Sequence, residues 1–420
     1  MSTSSDYPLI VIGAGAAGLA AAAALRDAGY TPLLLEARNR IGGRVWTDTQ
    51  RGVVELGAEF IHGDQATTWA IVQAAGLATQ RAPEAREIAL GGTRYPADDP
   101  LTLRVEQLYD RLCDPAEHAH APEYSAAAWM RRIAPDDPAG ELALRLAANI
   151  EAADVERLSA AAVAHERAGW QAGTGNFHVL NGYSRVMAAL ATGLDIRLNS
   201  PVRQITWQPG NATLRLDDPA QTTLTARAVI ITVPLGVLQA GDLTFTPDLP
   251  PATTEALHAL DMGHVSKLVL WFERVCWDLP GFSSTDGIIS TWWQEPAAKP
   301  PALMGYTGGL AGLHLAEIGE AAALAHALDE LTQLFGTRLR QAFLHGRLAA
   351  WSHDQWSRGA YSYTPIGAGA ARDQLATPIA NTLFLAGEAT VTNGHVATVH
   401  GAIESGRRAA QTVLKICFSG

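Results

Sequence analysis

Apolar and polar positions along this chain mark out its elements before any motif is considered. Leu9–Ile12 is a short continuous apolar run, the pattern of a strand buried on both faces. Glycines stand at 13, 15 and 18. The stretch from Ala16 to Ala28 is almost all alanine and leucine, which predicts a helix closed by Gly29. Pro32–Leu35 predicts a second strand that ends at Glu36. From 81 to 195 the chain reads as helical and alanine-rich, punctuated by Pro and Asp, as in APEAREIAL and DDPAGELALRLAANI. Strand patterns return at 196–198, 202–207 and 212–216. AVIITV (228–233) is an apolar run stopped by Pro234, and HVSKLVLWF (264–272) is another strand. A helical block spans 318–346 and a turn-rich stretch 351–371. TLFLAG (382–387) then leads into a final helix over about 398–415. No internal repeat or low-complexity linker appears.

Strand–helix pieces of one type therefore occur at the start, middle and end of the chain. The predicted class is α/β. A Rossmann-like dinucleotide-binding domain (1–80, 196–240 and 345–420) is interleaved with a mixed α+β substrate-binding domain (81–195 and 241–344).

The glycine loop sharpens the first unit. In strand–G-x-G-x-x-G–helix–strand–acid order, Gly13 permits a tight turn, Gly15 lets the backbone approach a pyrophosphate, and Gly18 lets the helix lie close. The helix N-terminus offers bare N–H groups and the positive end of a dipole. Glu36 stands about 20 residues on, where a ribose hydroxyl needs an acceptor, and an acid there favours NAD or FAD over NADP.

Length and composition narrow the partners. At 420 residues the chain holds two or three domains' worth of mass, and 48% hydrophobic with 17% charged residues is a globular composition. The net charge of −11, without a basic run, argues against nucleic acid. Cys113, Cys276 and Cys417 form neither a metal spacing nor a disulfide framework, which fits a reducing, cytoplasmic setting. MSTSSDYP has no leader pattern, and the end QTVLKICFSG reads as neither an anchor nor a targeting signal. No run of about 18 apolar residues occurs, so no membrane partner is expected. The oligomeric state stays open.

The residues after the first unit separate NAD from FAD. Ile41-Gly42-Gly43-Arg44 and Glu55-Leu56-Gly57-Ala58-Glu59-Phe60-Ile61-His62-Gly63 resemble the second flavin motif of the flavin amine oxidase family. That family takes in monoamine, polyamine and spermine oxidases and the flavin-type histone lysine demethylases. The resemblance recurs in order at LNGYSRVMAAL with LNSPVRQI (180–205), AVIITVPLGVL (228–238), MGHVSKLVLWF (262–272), WSRGAYSY (356–363), FLAGEAT (384–390) and ATVHGAIESGRRAA (397–410). It is thinnest over 81–175 and 280–345.

The resemblance implies a cofactor, FAD, and the residues that hold it. Gly13, Gly15, Ala17 and Gly18 would form the phosphate loop. Glu36, Ala37, Arg38, Gly43 and Arg44 would meet the ribose and pyrophosphate. Gly57, Ala58, Glu59 and Phe60 would run along the flavin by backbone contacts, and Val202 would bracket the adenine. Trp356 would lie near the flavin, as would Trp351, and Gly387 and Glu388 would hold the ribityl chain. Thr398, Val399 and Ala402 open a helix aimed at the flavin's N1/C2 edge. Ala360 stands where monoamine oxidases attach flavin through Cys, so the flavin is expected to be non-covalent.

The same resemblance names a candidate catalytic set. Lys267 matches a lysine that holds a water near flavin N5. Its flanks, Val265 and Leu268–Trp271, are apolar, so its ammonium needs a partner or a wet cavity. Tyr361 matches one wall of an aromatic cage that guides an amine. Thr398 stands where monoamine oxidases carry the second aromatic, which opens the pocket. His62 sits where spermine oxidases carry a pocket histidine. His178, His264, His353, His395 and His400 show no metal spacing, and none is expected.

The implied reaction is hydride transfer from the carbon beside an amine nitrogen to flavin N5. The imine is hydrolysed to aldehyde plus amine, and O2 is the acceptor that gives H2O2. A polyamine is the favoured substrate, with a monoamine or L-amino acid next. Histone demethylation is not expected, because the chain lacks room for the long helical insertion of those enzymes. A flavin desaturase, a porphyrinogen oxidase or a non-catalytic binding protein on the same fold are the rivals of another class.

Overall fold

Strand Ser4–Ile12 is the hub of the first sheet. It pairs in parallel with Leu33–Leu35 on one side and along its whole length with Thr223–Ile231 on the other. Helices cover both faces, so Leu9, Ile10, Val11 and Ile12 are all buried. This explains why the run carries no polar alternation. The computed structural model describes residues 4–418. Residues 1–3, 419 and 420, on which part of the leader and anchor expectations rest, lie outside them.

Eight strands make this sheet. Asp195–Arg197, Leu33–Leu35, Ser4–Ile12 and Thr223–Ile231 are parallel. Asn211–Leu216 and Val202–Gln208 extend it as an antiparallel meander, and Thr244–Thr246 closes that edge. The strand Thr223–Ile231 forks. Its first half pairs with Asn211–Leu216, and its second half pairs in parallel with Leu383–Leu385. Chain from the start, the middle and the end is thereby gathered on one scaffold.

The alanine-rich helix Ala16–Asp27 uses its small residues on two sides. It lies against the last helix, Val399–Cys417, as well as on the sheet. A Cβ at Gly406 would stand 2.0 Å from the Ala17 carbonyl oxygen, so that approach needs glycine.

A second sheet has seven strands in the order Phe343–Ala350, Val265–Phe272, Ala302–Gly308, Thr291–Glu295, Phe282–Thr285, Arg86–Leu90, Thr93–Tyr95. Two corrections to the sequence reading follow. APEAREIAL is not helical: Arg86–Leu90 is a strand, joined to Thr93–Tyr95 by Gly91-Gly92 with φ of 55° and 82°. Two consecutive positive-φ glycines are a hairpin signal, and the apolar neighbours bury against the sheet. The helical block expected over 318–346 begins earlier, at Gly309, is broken at Gly319 (φ 80°), runs on to Phe335, continues after Gly336 as Thr337–Ala342, and gives way to the strand Phe343–Ala350. A third sheet joins Phe60–His62, Asn176–Val179 and Thr79–Arg81. Among the described residues, no helix is long and apolar enough to cross a membrane.

Candidate active site

One cavity of about 1050 Å3 runs between the two large sheets. Every expected cofactor residue but one lines it: Gly13, Gly15, Ala17, Glu36, Ala37, Arg38, Gly43, Arg44, Gly57, Ala58, Glu59, Phe60, Val202, Trp356, Gly387, Glu388, Thr398, Val399 and Ala402. The exception is Gly18. A Cβ there would lie 1.8 Å from the Gly13 carbonyl oxygen, so its part is to let the helix seat on its own loop. The expected catalytic residues Lys267, Tyr361, Thr398 and His62 line the same cavity.

The cavity's walls suit a dinucleotide. A Cβ on Gly15 or on Gly387 would meet no protein atom within 4 Å, so bare backbone faces the space. The helices Ala16–Asp27 and Val399–Cys417 both start at this wall. The Glu36 carboxylate accepts the Ala14 amide at 2.7 Å and the Arg38 amide at 2.8 Å, which fixes its orientation. Burial nevertheless pushes its pKa up. The two arginines are more committed than the motif suggests. Arg38 forks onto Asp354 and donates to Ser357 Oγ at 3.0 Å. Arg44 donates to Glu388 Oε1 at 2.9 Å and to the Ala360 carbonyl at 2.6 Å. Burial works against the Glu388 carboxylate, but Arg44 and Arg372 outweigh it and hold its pKa below the usual range.

The catalytic candidates come from different elements. Lys267 lies in Val265–Phe272, a strand buried at all eight positions. Its ammonium has found a partner: it donates to Glu59 Oε2 and, at 3.3 Å, to the Gly57 carbonyl. It also sits 5.5 Å from the Trp293 ring centre. Lys267 and Glu59 are 3% and 2% exposed, so this is a buried ion pair. Glu59 therefore does more than run along the site by its backbone. Its side chain turns onto Lys267 and accepts Trp293 Nε1 at 2.7 Å.

Thr398 caps the last helix. Its hydroxyl accepts the Gly401 amide at 3.0 Å and donates to the His395 carbonyl at 2.7 Å. Its proton and one lone pair are used there, so to the cavity Thr398 offers chiefly a small side chain. His62 Nδ1 lies 2.7 Å from Asn176 Oδ1. The oxygen accepts, so Nδ1 carries the proton and Nε2 keeps its lone pair. Burial holds the His62 pKa below its ordinary value.

Sequence reasoning missed three parts of the site. Tyr306 sits opposite Lys267 in the antiparallel register of Ala302–Gly308, and its hydroxyl lies 2.6 Å from that of Tyr361. Trp293 seats Glu59. Glu106, Asp110, Glu151 and Glu166 line the part of the cavity made by the 81–195 segment. Burial first, then Glu166, pushes the Glu151 pKa up to about 8. No motif marks any of these, because they meet only through strand register and helix docking.

Comparison with known proteins agrees with this geometry. The family model described as flavin containing amine oxidoreductase matches residues 16–414. Lysine-specific histone demethylase 2 of Homo sapiens is 30% identical over 96% of this chain and 53% of its own length. Polyamine oxidase 3 of Oryza sativa subsp. japonica is 29% identical over 96% of this chain and 88% of its own. The chain spans about half the length of the demethylases it matches. A putrescine oxidase bound to putrescine superposes with a TM-score of 0.85 at 23% identity, over 98% of this chain and all (100%) of that one. Cyclohexylamine oxidase from Brevibacterium oxydans IH-35A gives 0.82 at 21%, over 98% and 99%. At these identities the two solved structures speak for the fold.

Proposed function

Because the chain belongs to the flavin-containing amine oxidoreductases, we propose that it oxidises a diamine or polyamine at the carbon beside one nitrogen. The observation that carries this reading is what shares one cavity. The glycine loop, the group Lys267, Tyr306 and Tyr361, and four carboxylates of the 81–195 segment all line it, and Tyr361 bonds to Ile150, the neighbour of Glu151. A substrate with a neutral nitrogen at the centre and a charged one further out meets the chemistry it needs at both places.

FAD fits the bare-backbone wall, and Gly13, Gly15, Glu36, Arg44, Val202 and Glu388 are the residues we assign to it. When bound, it supplies the acceptor for the carbon's hydride and passes the electrons to O2 as H2O2. The chain's residues do the positioning. Tyr361 and Tyr306 form one aromatic wall that orients the amine. Neutral His62 Nε2 accepts a hydrogen bond from the substrate nitrogen. The Lys267 ammonium stays fixed on Glu59. The small side chain of Thr398 leaves room for a long or secondary amine. The four carboxylates, Glu151 above all, hold the distal ammonium. The imine product is released to water and splits into aldehyde and amine.

The domain partition follows the same reading. We take 1–80, 196–240 and 345–420 as cofactor-binding and 81–195 and 241–344 as substrate-binding. Two strands cross these bounds: Phe343–Ala350 pairs in the second sheet and Thr244–Thr246 in the first. The unpaired Cys113, Cys276 and Cys417 suit a cytoplasmic setting. An L-amino acid oxidase is the second reading, because Arg86 and Arg167 line the cavity and a carboxylate needs such a cation.

Anaerobic mixing of the flavin-bound protein with a panel of di-, tri- and monoamines and L-amino acids tests the proposal. Fast bleaching of the flavin by di- and triamines is expected. Bleaching by amino acids alone would favour the second reading. No bleaching by any of them would sink both and leave a desaturase-type reaction.

A further inference from the structure

Behind Lys267 lies a second, much smaller void of about 10 Å3, the size of a single water. Glu55, Glu59, His178 and Glu295 line it. Glu59 also lines the main cavity, where Lys267 does too, so Glu59 is the partition between the two spaces. The groups arrive from separate parts of the chain: the strand Val54–Glu55, the residue just before Phe60–His62, and the strands Asn176–Val179, Val265–Phe272 and Thr291–Glu295.

Three carboxylates and one ammonium are gathered here out of water. Such an excess of negative charge is not tolerated in a buried site unless protons or cations relieve it. The hydrogen bonds tell which carboxylate is relieved. Glu55 accepts the Tyr183 amide at 2.6 Å and the Thr47 hydroxyl at 2.9 Å. Glu59 accepts Trp293 Nε1 and the Lys267 ammonium. Glu295 accepts a single amide, that of Ala297 at 3.2 Å. Its Oε2 has no protein partner, although the residue is only 4% exposed. Candidate ligand atoms of Glu295, Glu59 and His178 all lie within 4.8 Å of one another, and His178 Nδ1 is 3.5 Å from Glu59 Oε1.

We propose that Glu295 is a positioning residue that carries a proton on its free oxygen and, across this void, keeps Glu59 ionised against Lys267. A neutral Glu295 donates towards the void, to its water or to His178. An ionised Glu295 would face the Glu59 carboxylate and loosen its hold on Lys267. The inference rests on Lys267 facing the reacting centre, as proposed above. Burial first, and then Glu59, push the Glu295 pKa up to about 9, while burial pushes that of Glu55 to about 7 and that of His178 downward. The same side chains are spaced for a metal ion. However, both Glu59 oxygens are already engaged and an ammonium occupies the cation's place, which favours the proton.

The test needs no substrate, so it stands apart from the amine panel. Infrared spectra of the flavin-bound protein are taken across pH for the wild type, Glu295→Gln, Glu55→Gln and His178→Phe, and the contribution of Glu151, whose pKa is pushed up to about 8, is identified with Glu151→Gln and subtracted from each. The wild type is expected to show the carbonyl stretch of a neutral carboxylic acid at pH 8, where Glu55 is largely ionised, and to lose it on further alkaline titration. Glu295→Gln lacks the band, Glu55→Gln keeps it, and His178→Phe shifts its frequency. In parallel, the photoreduced protein is reoxidised with O2. The wild-type rate is expected to change several-fold over the pH range in which the band disappears, and the Glu295→Gln rate is flat there. If the band survives in Glu295→Gln, or if the two pH profiles coincide, the assignment is wrong. One equivalent of a divalent metal retained by the wild type and lost in Glu295→Gln would replace the proton with a cation. Should Glu295→Gln not fold, an unshifted band in His178→Phe overturns the proposal.

Discussion

The hydroxyls of Tyr306 and Tyr361 lie 2.6 Å apart, and that of Tyr361 donates to the Ile150 carbonyl at 2.8 Å. A phenol has one proton, so Tyr306 must donate to Tyr361. The chain Tyr306–Tyr361–Ile150 ties the strand opposite Lys267 to the helix end that carries Glu151. It makes one rigid wall from residues 55 positions apart.

The direction of that chain predicts unequal costs. Tyr306→Phe removes one neutral hydrogen bond, worth about 0.5–1.5 kcal/mol. Tyr361→Phe removes two, which together cost about 1–3 kcal/mol. Denaturant unfolding of the two variants is expected to rank Tyr361→Phe as the less stable. Both should raise KM more than they lower kcat.

The buried Lys267–Glu59 pair predicts a pH-dependent penalty. Lys267→Met leaves a carboxylate without its ammonium, at a cost of about 3–5 kcal/mol near neutral pH. To stay buried, Glu59 must then take up a proton on folding. The folded variant binds more protons than the unfolded one, so its stability falls as pH rises. Melting temperatures at acid and neutral pH should diverge in Lys267→Met and less in the wild type. Lys267→Met/Glu59→Leu should recover most of the loss.

Glu151 links substrate choice to pH. Its raised pKa of about 8, against 4.5 for the unperturbed group, means that folding holds a proton on it at neutral pH. Its stabilising effect is full below 4.5 and lost as pH rises to 8. Glu151→Gln should therefore flatten the fall in wild-type melting temperature over that range. The same ionisation creates the counter-charge for a distal ammonium. KM for diamines is expected to fall as pH rises through 8 and to rise about tenfold or more in Glu151→Gln, equivalent to at least about 1.4 kcal/mol. KM for a monoamine should barely move.

Turnover of limiting substrate should also rise from neutral to alkaline pH. Only a free amine has the lone pair that helps expel hydride, and alkylamines titrate near pH ~10. A flat profile would argue against rate-limiting cleavage from the neutral amine.

Ala360 predicts how the cofactor is held. Its carbonyl accepts Arg44 and its methyl side chain offers no nucleophile to the cavity. Acid precipitation should release the flavin into the supernatant, and a yellow pellet would refute the expectation.

How much of this was legible in the chain depends on the range of the interactions. Gly13, Gly15 and Glu36 were readable because loop, helix and acid are close in sequence, and their roles follow from local backbone geometry. Thr398 was readable as a small residue but not as a cap, since its hydroxyl partners are the His395 carbonyl and the Gly401 amide. APEAREIAL misled because alanine and glutamate favour helix locally, whereas pairing with Phe282–Thr285 and the Gly91-Gly92 turn impose a strand.

The order of apolar runs, glycines and charged residues was enough to determine a dinucleotide-binding α/β architecture, because those signals are written in neighbouring residues, whereas Lys267 stood out only through the family resemblance. Tertiary structure alone decided that Lys267 is clamped by Glu59, that Tyr306 completes the wall of Tyr361, and that Glu295 faces His178 across a void. Each of those pairs joins strands far apart in the chain. Their energies come from desolvation and strand register, which exist only once the sheets have closed.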